Sequence, residues 1–212
     1  TKNNSLGYIG SVAIPKVYRN INAFTIGAQS INPNITVNVA WVGSWIDEPK
    51  EREAALQLLN KGVDVMFQNT DSTIPLVLAE ERGFRAFGWG SDMSGYAPTA
   101  HLASAIINWA PYYEERIQAM LDGKWEAKNT LGGVKEGVVD VVSLSGDIPR
   151  SGVRAFSEAK KKMQEEDFNM WVGPLKKNTG EDFLAAGVVA TEEQLNSMNF
   201  FVEGVAKDAP LK

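Results

Sequence analysis

Short apolar runs alternate with stretches of helical periodicity through the first ninety or so residues of the chain. Residues 6–12, 35–42, 63–67 and 84–89 are rich in β-branched and aromatic side chains and read as strands. Between the first two, Val17, Ile21, Phe24 and Ala28 recur at helical spacing over residues 16–31, until Asn32-Pro33-Asn34 stops them. Asp47 can cap a second helix with Pro49 in its first turn and Gly62 after its end, burying Ala54, Ala55, Leu58 and Leu59. Asp71 or Ser72 can cap a third over residues 73–82, closed by Gly83. Residues 63–67 are almost wholly apolar, as suits a strand covered on both faces. The alternation predicts an α/β fold: three layers, a parallel sheet with helices on both faces.

The pattern changes further on. Residues 101–122 read as one longer helical region, interrupted or kinked at Pro111 and stopped by Asp122-Gly123, with His101 a satisfied histidine at its start. Residues 137–144 read as a strand and 151–165 as an exposed amphipathic helix. Its run Lys160-Lys161-Lys162 is balanced by Glu158, Glu165 and Glu166, the signature of a solvated face. Residues 1–165 thus form one unit, and 166–212 have another texture. Residues 168–172 read as a strand, while Gly173-Pro174 and Asn178-Thr179-Gly180 are turns. Thr191 and Gln194 form a capping box for a last helix, with Leu195, Met198 and Val202 as its apolar face. The tail either packs on the sheet or reaches toward something beyond it.

Three of the apolar runs end in polar or aromatic clusters: Gly43-Ser44-Trp45, Asn69-Thr70-Asp71-Ser72 and Gly90-Ser91-Asp92-Met93. In a parallel sheet all three share one edge, and open α/β sheets bind ligands just beyond the carboxyl ends of their strands. Trp45 reads as a core lid or as a stacking platform for a flat ligand, and its indole also suits a cation. Asn69 offers an amide donor and acceptor to a heterocycle's edge. Asp71 and Ser72 are helix caps that can also meet a ligand's polar atoms. Asp92 is placed to accept two hydrogen bonds from a diol. Trp41, Trp109, Trp125 and Trp171 read as core or lid residues.

Composition narrows the chemistry. The formal charge of -5 and the lack of a basic stripe argue against a nucleic-acid surface. With no cysteine there is no disulfide, thiolate nucleophile or Cys-bound zinc. No apolar run approaches the roughly 18 residues of a membrane span. His101 is the only histidine and no Gly-x-Ser-x-Gly elbow is present, which leaves a Ser-His-Asp triad unsupported. Leu131-Gly132-Gly133 lacks the Lys-Ser or Lys-Thr of a P-loop, and no metal-ligand spacing is seen. No catalytic residue, metal or cofactor is expected.

Several motifs occur in a telling order: Tyr8-Ile9-Gly10-Ser11, Asn22-Ala23-Phe24, Val42-Gly43-Ser44-Trp45, Asn69-Thr70-Asp71-Ser72 and Gly90-Ser91-Asp92-Met93. Asn108-Trp109 with Tyr112-Tyr113, Asp122-Gly123-Lys124-Trp125, Gly173-Pro174 and Ser197-Met198-Asn199 follow. Together they resemble the basic membrane protein family, substrate-binding components of ABC importers for purine nucleosides and related compounds. The resemblance implies a lobe of the type I periplasmic-binding fold, with ligand clamped between two lobes by hinge closure. It implies that residues 1–165 are the carboxyl-terminal lobe and that 166–212 return to the hinge and a first lobe absent from this chain. Trp45 would stack on the base, with Asn69, Asp71, Ser72, Asp92 and Met93 around it. A membrane permease would be the partner, and the setting periplasmic or extracytoplasmic, with any anchor on the absent part. Ile107 stands where family members often carry a Lys, which leaves room for a free nucleobase such as adenine. Two other readings keep the same sheet: a nucleoside-processing enzyme using Asp71 and Asp92 as acid and base, and a ligand-sensing regulator.

Overall fold

The computed structural model describes residues 1–165 and 168–212. Glu166, counted above among the charges that balance the lysine run, lies outside the described residues. The expected strands and helices of the first ninety residues are all present. They are β1 (Ser5–Gly10), α1 (Pro15–Ile31), β2 (Thr36–Trp41), α2 (Glu48–Asn60), β3 (Val65–Gln68), α3 (Ile74–Arg82) and β4 (Arg85–Gly90). Local signals set their ends. Asp47 accepts the backbone N–H of Lys50 at the start of α2, and Gly83 takes a left-handed conformation to close α3.

Residues 101–107 overturn an expectation. They form a strand, β5 (His101–Ile107), and the helix α4 spans only Ala110–Leu121, with Pro111 in its first turn. His-Leu-Ala-Ser-Ala-Ile-Ile is too short an apolar run for its period to decide, and Pro111 marks a helix start rather than a kink. His101 therefore stands at a strand start, not a helix start.

β6 (Val139–Val142) pairs antiparallel with β5, so the sheet is parallel through five strands and mixed at its edge. Among the described residues the strand order is β2-β1-β3-β4-β5-β6. Then come α5 (Arg150–Gln164), a small hairpin of β7 (Leu175–Lys176) and β8 (Asp182–Leu184), and α6 (Glu192–Asn196). Residues 168–172 make no strand; Val172 contributes a single bridge to Val189. The Thr191–Gln194 capping box is present, but α6 ends at Asn196, so Met198 and Val202 lie beyond it.

Side chains alternate across the sheet and build a core on each face. Ile9, Ala40 and Met66 pack with Ala54, Ala55 and Leu58 of α2 and with Leu76, Leu78 and Ala79 of α3. Their neighbours Tyr8, Val39 and Val65 point the other way, into Val17, Tyr18 and Ile21 of α1. The tail completes this second core with Met198, Phe201 and Val205. It also extends the sheet, because Val37 donates to Gly204 (2.8 Å) and accepts from Ala206 (2.9 Å). Trp171 packs at the margin of this core and Trp41 donates its indole N–H to the Pro210 carbonyl. Trp109 and Trp125 are half exposed instead, since α4 buries none of its residues.

Asn22 locks tail to helix. Fully buried on α1, it donates to the Phe200 carbonyl (2.9 Å) and accepts from the Val202 N–H (3.0 Å). Asn22→Ala strands both groups in an apolar setting, and each buried unsatisfied group costs about 1–3 kcal/mol. Urea denaturation of this variant is expected to show a loss of at least about 2 kcal/mol.

Candidate functional site

The chain runs from β1 to β2 on one side and then places β3 on β1's other side. That reversal opens a crevice between the loops following β1 and β3, where open α/β sheets take their ligands. Ser11 and Asn69 close its floor. The Ser11 N–H donates to Asn69 Oδ1 (3.3 Å), and Asn69 Nδ2 donates to Ser11 Oγ (3.4 Å). Both residues are fully buried.

The loop after β2 joins them. Gly43, in a left-handed conformation that favours glycine, donates to the Ser11 carbonyl (2.7 Å). Trp45 follows, 38% exposed, and its carbonyl accepts the Asp71 N–H at 2.8 Å. The backbones of the two loops that carry this indole and the Asp71 side chain are thereby tied together. The Asp71 carboxylate is exposed and makes no hydrogen bond among the described residues. Lys16, in the first turn of α1, places its ammonium 5.9 Å from the Trp45 ring centre, a cation–π distance.

Glu51 braces this arrangement from inside. Although fully buried, its carboxylate accepts from Thr70 Oγ1 (2.7 Å), Ser72 Oγ (2.5 Å) and the Asp47 N–H (3.0 Å). Ser72 therefore faces inward. Its hydroxyl donates to Glu51 and accepts the Ile74 N–H, which serves the start of α3 in place of Thr73.

Asp92 and Met93 lie on the next loop. Met93 is buried in the apolar cluster beneath α2 and α3, and its N–H donates to Ser104 Oγ (3.0 Å). Gly90, with φ of 79°, turns the chain back over β4 and β5 to bring it there. The Asp92 carboxylate accepts from Ser143 Oγ (2.5 Å) and the Ser94 N–H (3.0 Å), and these bonds hold its pKa below the ordinary value. No hydrogen bond links it to Trp45 or Asp71. The structure thus gathers Trp45, Asn69 and Asp71, sets Asp92 one loop away, and turns Ser72 and Met93 inward. Ser11, Lys16 and Glu51 were missed by sequence reasoning. Ser11 was within reach, because it ends the first apolar run as Asn69 ends the third. Nothing in the sequence sets Glu51 apart from the other charges of its helix.

Among the described residues no cluster of His, Cys, Asp or Glu could hold a metal. The geometry defines a candidate binding surface: an exposed aromatic plane and the exposed Asp71 carboxylate at a switch-point crevice. A parallel-dominated α/β sheet with such an edge has the layout of a small-molecule-binding fold, and solved structures share that fold. A solute-binding protein of an ABC transporter system from Conexibacter woesei superposes with a TM-score of 0.64 at 17% identity, covering 78% of this chain and 56% of that one. A transcriptional activator of the comK gene from Bacillus halodurans gives 0.71 at 23% identity, covering 79% and 59%.

Sequence comparison is more specific. The Bmp family, described as ABC transporter substrate-binding protein PnrA-like, matches residues 1–178, and the chain belongs to that family. A purine-binding protein of Brucella abortus is 41% identical over 99% of this chain. A putative ABC transporter glucose-binding protein of Haloferax volcanii is 30% identical, also over 99%. The chain spans 60% and 51% of the lengths of those two relatives. The family is one of extracytoplasmic binding proteins, not enzymes.

Two consequences can be measured. Glu51→Ala removes the acceptor for two hydroxyls and one N–H, and should cost about 2–4 kcal/mol in chemical denaturation. Amide exchange over residues 69–73 should rise in parallel.

The second concerns pH. His101 is buried with Nε2 2.8 Å from Ser104 Oγ; burial lowers its pKa below 6.5, opposed by the charge of Asp92. A pKa lower in the folded state means the unfolded chain binds more protons, so stability is complete above 6.5 and falls as pH drops below it. Thermal melts between pH 8 and 5 should show that decline, and His101→Gln should flatten it.

Proposed function

We propose that this chain supplies one jaw of a purine-binding site in the extracytoplasmic component of an ABC importer. The observation that carries the reading is the exposed indole of Trp45, bonded through its own carbonyl to the loop that presents Asp71. Stacking on an aromatic side chain contributes roughly 1–3 kcal/mol per base and leaves the ring edge free for hydrogen bonds. Asp71 and Asp92 supply acceptors for that edge or for a sugar, and Asn69 holds the crevice floor. Ser72 and Met93 support the loops from beneath. The Brucella relative, named as purine-binding, supports a purine, and Ile107 favours a nucleobase over a nucleoside.

The remaining wall of the site comes from a first lobe that closes over the ligand by a hinge. Residues 166–212 return toward that hinge. A membrane permease receives the ligand, and none of the helices among the described residues is long and apolar enough to cross a membrane. A sugar is the second reading, supported by the glucose-binding name of the Haloferax relative.

Calorimetry with adenine, adenosine, guanosine and glucose distinguishes these. A purine is expected to bind and glucose not; the reverse would replace the purine reading by the sugar one. Trp45→Ala should weaken purine binding roughly 5- to 150-fold, the range that the loss of one stacked base implies. Unchanged affinity would remove Trp45 from the site. Release of free base from a nucleoside during the titration would sink the binding-protein reading altogether.

A further inference from the structure

The two faces of the sheet are covered unequally. On one, α2 and α3 pack over its central strands. On the other, α1 and the tail cover β1 and β2, while α5 sits over β6, where Lys160 pairs with Asp140 at 2.5 Å. Between α1 and α5 lies a cavity of about 620 Å³. Its floor is Val65, Phe87 and Leu102, contributed by β3, β4 and β5. Phe24 and Gly27 of α1 form one wall, and Phe156 and Met163 of α5 the other.

The dimensions are those of a missing helix. Three adjacent strands span two spacings, about 10 Å, and an α-helix with its side chains is about 10 Å across. The chemistry fits as well, because the lining is apolar and Phe87 and Leu102 are only half-buried. Gly27 adds an independent sign. It lies within α1, where glycine weakens a helix, yet a Cβ built there meets nothing within 4 Å. Small residues at 23, 27 and 28 keep this wall low, as close approach of another helix requires.

We propose that this slot is the seat of an apolar helix supplied by polypeptide outside this chain, from the part of its longer relatives that the chain does not span. The slot reaches Thr1, so a segment joined there enters it without a linker. The seat lies toward the strand starts, marked by Leu6, Ile35 and Val65, away from the Trp45 edge. Its occupant therefore docks a second region of protein without covering the ligand crevice. This inference does not rest on the purine reading.

The test uses this chain and a hybrid in which it replaces the matching 60% of the Brucella relative. The fluorescent apolar probe anilinonaphthalenesulfonate should bind the chain, lose that binding on Gly27→Leu, and bind the hybrid at least fivefold less. Gly27→Leu fills open space in the chain and should raise its Tm, whereas in the hybrid it meets the seated helix and should lower Tm. The same sign in both proteins overturns the proposal. So does probe binding in the chain that ignores Gly27→Leu, or probe binding that persists undiminished in the hybrid, which would make the slot a pocket for small apolar ligands. Should the hybrid not fold, the rest of the Brucella relative can be co-expressed as a separate chain. It should co-purify with the wild type and not with Gly27→Leu, and failure to co-purify with the wild type counts against the seat.

Discussion

The buried carboxylate of Glu51 sets how the two loops that matter most here stand toward each other. It gathers hydroxyls from Thr70 and Ser72, on either side of Asp71, and the N–H of Asp47, two residues after Trp45. A carboxylate taken out of water must be repaid in hydrogen bonds, and here every donor comes from the segments flanking the candidate site. The direct bond between the Asp71 N–H and the Trp45 carbonyl then has little freedom left. The result is a preorganised edge, in which an aromatic plane and an acid are ordered before any ligand arrives. Such ordering lowers the entropy that binding has to overcome.

The same economy appears one layer down. Ser11 and Asn69 bond to each other at the floor of the crevice, so neither buried side chain is left unsatisfied there. Gln68 donates to the carbonyls of Thr70 and Ser72 and holds the backbone of that loop from below. At the next strand end, Ser104 receives the Met93 N–H and meets the His101 ring, which folds the Asp92 loop back over the sheet. The exposed groups differ from the buried ones in a simple way. Trp45, Asp71 and Lys16 keep surface toward solvent, while the residues that aim them are hidden.

Sheet parity connects these loops to the rest of the molecule. Because neighbouring residues of a strand face opposite sides, the run Tyr8-Ile9 serves two cores at once, and both must be roofed. α2 and α3 roof one. α1, the tail and α5 roof the other with a helix-wide gap, and the tail contributes its share through Asn22 and the pairing with Val37. Binding edge and open slot occupy different ends of one sheet.

Much of this was readable in the chain. The first four strands and three helices follow from periodicity, and the Asp47 cap, the Gly83 stop and the Thr191–Gln194 box follow from contacts within a few residues. The positions of Trp45 and Asp71 at one edge follow from the βα alternation, since parallel strands must all end on the same side. The nature of residues 101–107 did not follow, because a seven-residue apolar stretch takes its conformation from the strands beside it. Nor did the antiparallel course of β6, the inward turn of Ser72 and Met93, or the part played by Glu51. Local order is encoded in neighbours along the chain and so is visible in sequence; pairing direction, burial and partner choice depend on residues tens of positions apart, which only the folded chain brings into contact.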